Sequence, residues 1–304
     1  MVWNPGLYLK FHAARVRPAV DLLQKSVEMM GENATSVKKI LDLGCGPGNI
    51  TPFLCEMFPN ATVHGVDSSA EMIEKAKKTT AKTTYKDRAT FAIETVESLT
   101  YGDNAQKYDF IYSNAVLHWC LNHDKLFPDI VNNLLLPNNG VFAMQMPDTR
   151  TQKSHLLMET AALRCGLFEQ IKNIRIPRTE QDPDYYFKIL TPFVKEIDLW
   201  STEYIQQLPS YTAPTHSSFT EIDHKYHISN QRHPVSDFTR STGLQPILQA
   251  LGGENSERAA KYLDEYDRLL AEEYPSVEVK NKFHSNGKAM TLLPYKRFFL
   301  VCKT

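Results

Sequence analysis

Between Ile40 and Thr51 an apolar run ends in Asp42-Leu43-Gly44-Cys45-Gly46-Pro47-Gly48-Asn49, a carboxylate followed by three glycines at alternate positions. Glycine at every second place lets the backbone turn tightly and approach a ligand where a Cβ would intrude. The helix expected after the loop aims its free N–H groups at the same spot. A second apolar run, Thr62-Val63-His64-Gly65-Val66, ends in Asp67 about twenty residues later. A carboxylate there is placed to accept both hydroxyls of a ribose. The pattern reads as a nucleotide-type cofactor site, with Asp42, Gly44, Gly46, Gly48 and Asp67 as its members and Ser68 and Met72 following on.

The dinucleotide fingerprint Gly-x-Gly-x-x-Gly/Ala fails at its last position, which is Asn49 in this chain. A diphosphate needs close helix approach, and the carboxylate of Asp42 disfavours an anionic ligand. Ligands of open α/β sheets sit beyond the carboxyl ends of the strands. Thr95-Val96-Glu97, Asn114 to Trp119 and Gln145 to Asp148 fall at such ends, and the first three residues and Asn114 join the cofactor side. The run Ser113-Asn114-Ala115-Val116-Leu117-His118-Trp119 also brings an imidazole and an indole to the rim. His118 is either a core residue or a general base for a reacting acceptor. Trp119 either packs or faces a cation. Cys45 has no base in evidence beside it, and the turn requires only a small residue there, so it is not read as a nucleophile. His216, His224, His227 and His233 match no zinc spacing, and no metal site is expected.

These residues require a sheet to position them. Apolar runs alternating with helical patterns from Val37 to Met146 predict parallel strands at 38–43, 62–67, 89–94, 108–114 and 140–146, with helices near 49–57, 69–79 and 124–135. An amphipathic helix from Arg17 or Pro18 to about Met30 precedes them, its Ala19, Leu22, Leu23 and Val27 facing the sheet. Beyond Pro147 the pattern predicts helices near 152–166, around Tyr185-Tyr186-Phe187 and over 256–274, a strand-like alternation from Val194 to Tyr204, and a last strand over 297–302. The polar segment 209–234 has no sustained period and is expected to be a surface insertion or lid. The chain is expected to be one domain over 1–304, with a cover segment at 1–36, a cofactor core at 37–146 and an acceptor-side cap at 147–304.

At 304 residues the chain is long enough to bury a full core. A net charge of −1 offers no footprint for phosphate backbones, so nucleic acid is not expected as a partner. Five scattered cysteines inside apolar patterns suggest reduced core thiols in a reducing compartment. With no secretory leader and no long uncharged apolar span, the chain is expected to be soluble and cytoplasmic, with no membrane partner; its oligomeric state is not read from the sequence.

Acid-x-Gly-x-Gly-x-Gly resembles the loop of the class I S-adenosylmethionine-dependent methyltransferases. Trp3-Asn4-Pro5-x-Leu7-Tyr8-Leu9-x-Phe11, Arg15-x-Arg17-Pro18-Ala19-Val20, Asp67-Ser68-Ser69 and Gln145-Met146-Pro147-Asp148 narrow the resemblance to the trans-aconitate methyltransferase family within that class. Thr242-Gly243-Leu244-x-Pro246, Glu273-Tyr274-Pro275, Asn286-Gly287-Lys288 and Pro294-x-x-Arg297 carry it through nearly the whole chain. The resemblance implies an α/β fold with a doubly wound, mostly parallel seven-stranded sheet, Rossmann-like, carrying a helical cap and an insertion. It also implies S-adenosyl-L-methionine as cofactor and methyl transfer to a carboxylate of a small polycarboxylic acid. Where the class is expected to have an aspartate facing the adenine, this chain has Glu94-Thr95-Val96-Glu97, so a hydroxyl, a backbone group or Glu97 must serve. Arginine forks bind carboxylates bidentately, which makes Arg15 and Arg17 candidates for the acceptor, with Tyr8 and Arg297 beside them and Gln145 and Trp119 completing the acceptor set. The alternative is another small acceptor, a phenol or amine, that needs His118 as base; a scaffold without activity is the third reading.

Overall fold

The apolar runs of the first half form five parallel strands, the central ones almost fully buried and the edge strand at 89–93 partly exposed. The computed structural model describes residues 16–102, 107–176, 179, 181–210, 232–240, 242–281 and 284–304, the side chains of 210 and of 279–288 excepted. In chain order these hold α1 (Arg17–Met30), β1 (Lys39–Leu43), α2 (Thr51–Met57), β2 (Thr62–Asp67), α3 (Ala70–Thr80), β3 (Ala89–Ile93), α4 (Val96–Tyr101), β4 (Phe110–Asn114), α5 (His123–Asp129) and β5 (Val141–Pro147). There follow α6 (Lys153–Arg164), α7 (Phe168–Ile171), α8 (Pro183–Leu190), β6 (Glu196–Ser210), α9 (Pro234–Arg240), α10 (Leu244–Ala250), α11 (Glu257–Glu273), β7 (Ser276–Asn281) and β8 (His284–Lys303).

The strand order is β3-β2-β1-β4-β5-β8-β6, with β7 paired to β8 off this path. The expected seven-stranded sheet is thus present, with one hairpin strand added. Pairings among β1 to β5 are parallel, and β8 enters antiparallel beside β5 with Pro147 opposite Arg297 and Val141 opposite Lys303. Successive crossovers leave β1 in opposite directions toward β2 and toward β4, so the crevice at the carboxyl ends of β1 and β4 is the switch point where such sheets bind ligands.

The chain divides into two compact units, residues through Pro147 with 178–202 and 297–304, and residues 148–177 with 203–296. Each has its own core. In the first, Leu41, Ile111, Phe142 and Met144 from the strands pack with Phe127, Tyr186 and Phe298, all nearly inaccessible. In the second, Met158 and Ala162 of α6 share a core with α11, whose Ala259, Leu263, Tyr266 and Leu270 recur at helical spacing along one buried face, with Tyr262 beside them. Burying a side chain of Leu, Phe or Met size contributes about 1.5–3 kcal/mol. The amphipathic α1 buries Ala19, Leu22 and Leu23 as expected, and the Tyr112 hydroxyl of β4 donates to the Ala19 carbonyl at 2.8 Å, fixing the helix on the sheet.

Several boundaries differ from expectation for local reasons. The helix expected over 124–135 runs as α5 and then as a π-helical turn, Ile130–Leu134, just after Pro128, which has no N–H to contribute to the helix ladder. The last strand begins at His284, well before 297, because Pro294 makes the run look broken, although Thr291, Leu293 and Tyr295 alternate inward. The segment expected as an insertion over 209–234 is ordered at its edges: residues 209 and 210 belong to β6, and Pro234 opens α9. Arg232 pairs with Asp264 at 2.5 Å and Asp267 at 3.2 Å, and a ring nitrogen of His233 lies 3.2 Å from the Tyr274 carbonyl. Residues 211–231, and with them the body of the expected lid, lie outside the described residues. Among the described residues no helix is long and apolar enough to cross a membrane, and no group of His, Cys, Asp and Glu is arranged to hold a metal.

Candidate active site

The glycine loop is tied to β2 before any ligand arrives. Gly44 and Cys45 both donate their backbone N–H to the Val66 carbonyl, at 2.8 and 2.9 Å. The Gly46 N–H donates to Asp67 Oδ2 at 3.0 Å, and the Ser69 N–H donates to Asp67 Oδ1 at 2.9 Å. Ser69 then caps α3 by accepting the Met72 N–H at 3.3 Å. One carboxylate therefore holds both the loop and the start of the next helix. Each of its oxygens has two acceptor positions, so each can accept one further donor such as a ribose hydroxyl. Gly44 has φ +76°, and a Cβ on it would lie 2.0 Å from Val116 Cγ2. The turn after β4 thus packs directly on the loop after β1, closing the base of the switch-point crevice.

Under the loop, Asp42 is almost fully buried and accepts a hydrogen bond from the Thr51 hydroxyl at 3.2 Å. Burial pushes its carboxyl up to about 7; the Thr51 bond opposes the rise and the nearby Asp67 charge adds to it. Burial likewise pushes the Cys45 thiol far up, with Asp42 and Asp67 contributing, so Cys45 stays protonated and inert. At the end of β3, Thr95 is the N-cap of α4: its hydroxyl accepts the Ser98 N–H while Ser98 Oγ accepts the Thr95 N–H. The residues expected at this strand end open a helix: the Val96 side chain is buried and offers only backbone groups to a ligand, and Glu97 is exposed. Ser68 is exposed and Met72 half-buried.

Three of the expected residues meet where β4 and β5 end, Arg297 coming from the part of β8 that pairs with the end of β5. Arg297 Nη1 donates to Gln145 Oε1 at 3.4 Å, and Gln145 Nε2 donates to Asn114 Oδ1. Gln145 is buried and stands opposite Asn114 in the ladder. His118 is buried on the short turn after β4, with its ring centroid 5.4 Å from that of the exposed Trp119. Trp119 shares a cavity of about 440 Å³ with Glu97, Tyr101, Leu121 and Lys125. Arg17 is not drawn in with these groups: it lies on the exposed first turn of α1, 3.8 Å from Asp21. Tyr8 and Arg15 lie outside the described residues. Sequence reasoning missed Thr51, whose place in the first turn after the loop was the available signal, and Val116, for which no spacing rule gives one. It also missed that Asp148 is buried between Arg150 Nε at 3.0 Å and Lys296 Nζ at 2.9 Å, contacts that hold its carboxyl below the usual range against the effect of burial.

A glycine loop at the switch point of a doubly wound sheet, with an acidic residue ending the next strand, is an arrangement that nucleotide-type cofactor sites share, and the family profile described as a methyltransferase domain matches residues 34–201. The trans-aconitate 2-methyltransferase of Klebsiella pneumoniae (strain 342) is 34% identical over 301 residues, covering 99% of this chain and 97% of that protein. Those of Enterobacter sp. (strain 638) and Escherichia coli (strain K12 / DH10B) are 31% and 34% identical over 305 residues, each covering 99% of this chain and 98% of the relative. The chain belongs to the trans-aconitate 2-methyltransferase family, within the S-adenosylmethionine-dependent methyltransferases.

The cofactor, S-adenosylmethionine, is cationic at sulfur, and this gives the buried carboxylate a testable role. The folded-state value of Asp42 is raised above its unfolded value of 3.8. Its contribution to stability therefore falls as pH rises from about 4 to about 7 and is flat above, the reverse of a salt-bridged carboxylate. A cationic ligand favours the ionised form, so cofactor binding is expected to tighten as pH rises toward 7.5 and to release protons near neutrality. Calorimetry in two buffers of different ionisation heat reads that release. Identical heats in both buffers, with an affinity flat from pH 6 to 8, would exclude the coupling.

Proposed function

We propose that this enzyme transfers the methyl group of S-adenosylmethionine to a carboxylate of a small polycarboxylic acid, with trans-aconitate as the acceptor, in the cytoplasm. The observation that carries the reading is near-full-length similarity to relatives named for that acceptor. The row Asn114, Gln145 and Arg297 supports it by lining one end of the sheet with amide and guanidinium groups suited to carboxylates.

A carboxylic acid with a pKa near 4 is already ionised at neutral pH, so the nucleophile needs no base. Transfer is an in-line displacement in which a carboxylate oxygen bonds to the methyl carbon as the carbon–sulfur bond breaks, with the bonding pair leaving on sulfur. Opposite charges are neutralised on the way, so a site that removes water from both partners and aligns them supplies most of the catalysis. Such orientation contributes about 7–11 kcal/mol in favourable cases. The protein's residues then hold and orient: Asp67 fixes the loop and the ribose, and the Arg297 row fixes the acid. On the second reading, His118 serves as base for a phenol or amine.

A methyl-transfer assay with mass detection against trans-aconitate, cis-aconitate, isopropylmalate, citrate, phenols and amines tests the reading. Ester formation confined to the acids is expected. Turnover of phenols or amines alone would move belief to the base-assisted reading. In the same assay Arg297→Gln is expected to raise the acceptor KM roughly 10- to 100-fold, the worth of a hydrogen bond to a charged group, with cofactor affinity unchanged. His118→Ala is expected to keep turnover of the acid, and its abolition with both ligands still bound would count against a base-free mechanism.

A further inference from the structure

The side chains of Asn114 at the end of β4, Gln145 near the end of β5 and Arg297, the β8 residue opposite that end, form a chain of hydrogen bonds that has only one direction. A guanidinium donates and never accepts, so the group that Arg297 Nη1 reaches at 3.4 Å must be the oxygen of the Gln145 amide. The opposite end of that amide, Nε2, is then a donor, and it faces Asn114 Oδ1. That leaves the Asn114 amide with its oxygen committed inward and its two N–H donors at the half-exposed end. Gln145 itself is about 2% exposed and opposite Asn114 in the ladder, so it is held on both sides. The backbone after Asn114 turns sharply, with Ala115 at φ +58°, a conformation that costs a residue with a Cβ and is kept here by the Ala115 N–H donating to the Gln145 carbonyl at 2.9 Å. Val116, two residues after Asn114, then packs against Gly44 of the glycine loop.

The geometry points to Gln145 as a positioning residue: it transmits the donor-only character of Arg297 to Asn114 and fixes the Asn114 NH₂ outward as a carboxylate-recognising donor. Two carboxylates come to such a site, that of the acceptor acid and that of the cofactor's amino-acid end, and they share the chemistry that the amide selects. The acceptor arm rests on the carboxylic acid reading above, while the cofactor arm does not. With glutamate at position 145, the side chain accepts only. Arg297 pairs with one oxygen and the other draws the Asn114 NH₂ inward, turning Asn114 Oδ1 toward the ligand and setting an acceptor against a carboxylate.

The test is calorimetry on full-length wild type, Gln145→Glu and Asn114→Asp. The probes are S-adenosylhomocysteine and 5′-methylthioadenosine, which lacks the amino-acid end, followed by trans-aconitate and its trimethyl ester titrated into enzyme saturated with S-adenosylhomocysteine. Both variants are expected to lose at least 10-fold in affinity for one carboxylate ligand while its neutral counterpart binds as before. Loss confined to trans-aconitate assigns the amide to the acceptor, and loss confined to S-adenosylhomocysteine assigns it to the cofactor. Asn114→Asp makes the same donor-to-acceptor change without touching the buried position, so it decides if Gln145→Glu fails to fold. Unchanged affinities for both carboxylates, or equal losses for the acid and its ester, would overturn the assignment. If wild type binds no tricarboxylate, the acceptor reading fails by itself, and the two nucleoside probes alone decide the role of the relay.

Discussion

Asp67→Ala weakens S-adenosylmethionine binding by about 100-fold, roughly 3 kcal/mol at 1.4 kcal/mol per tenfold change. Two losses combine. The first is the charged hydrogen bonding to the ribose hydroxyls, about 1.5–3 kcal/mol for contacts of this kind. The second is preorganisation, because the same carboxylate accepts the Gly46 N–H at 3.0 Å and the Ser69 N–H at 2.9 Å. Without it two backbone donors at a half-buried position turn to water, and the loop must be reordered when the cofactor binds. The apo protein should lose a smaller amount, about 1–2 kcal/mol, since the Gly44 and Cys45 bonds to Val66 persist. Asp67→Asn separates the two losses. Its single amide oxygen can serve one of the backbone donors but sets an NH₂ against the other, so both loop order and affinity should fall only partway. Isothermal calorimetry with S-adenosylmethionine and a thermal melt without it give the two quantities. Native affinity in Asp67→Ala would remove Asp67 from the cofactor site.

Gly44→Ala is the second large effect, and its cause is steric. A Cβ at this residue would sit 2.0 Å from Val116 Cγ2, 2.6 Å from Cγ1 and 2.7 Å from Cβ, at φ +76° where a side chain is already unfavourable. The expected outcome is a loss of about 3–5 kcal/mol of stability, within the range for overpacking joined to backbone strain. Cofactor binding should become undetectable, because relief of the clash displaces either the loop after β1 or the turn after β4. The two causes can be told apart. Val116→Gly removes all three clashing atoms but leaves the dihedral strain, so the double variant should recover all but the ~1–2 kcal/mol of left-handed strain, relative to Val116→Gly alone. A double-mutant cycle by chemical denaturation should therefore show coupling of roughly 2 kcal/mol between the sites. Additive losses would mean that Val116 does not set the requirement for glycine.

Much of the site was legible in the chain because its parts are local. A loop of alternating glycines after an apolar run and an acid ending the next run identify β1, β2 and their carboxyl ends without knowledge of the rest. The helix α3 was legible for the same reason: Ser69 caps it and Glu71 sits in its first turn. The start of α4 was not, since Thr95 and Ser98 form a reciprocal cap that ends a strand and opens a six-residue helix too short to show a period. Nor was the full length of β8, whose first half draws its strand character from pairing with β7.

The sequence by itself determined the order of strands and helices through the first half, the glycine loop, and the acidic residue that ends the next strand, because helical and strand periods and turn chemistry act over a few residues. Only the tertiary structure decided what those residues touch. That Asp67 accepts the Gly46 N–H of the loop after β1, and that Val116 dictates glycine at Gly44, depend on strands distant in sequence coming side by side. The direction of the hydrogen-bond chain from the Arg297 guanidinium through the Gln145 and Asn114 amides likewise exists only once β8 has inserted antiparallel beside β5, because such a chain is fixed by its terminal donor and not by any spacing along the sequence.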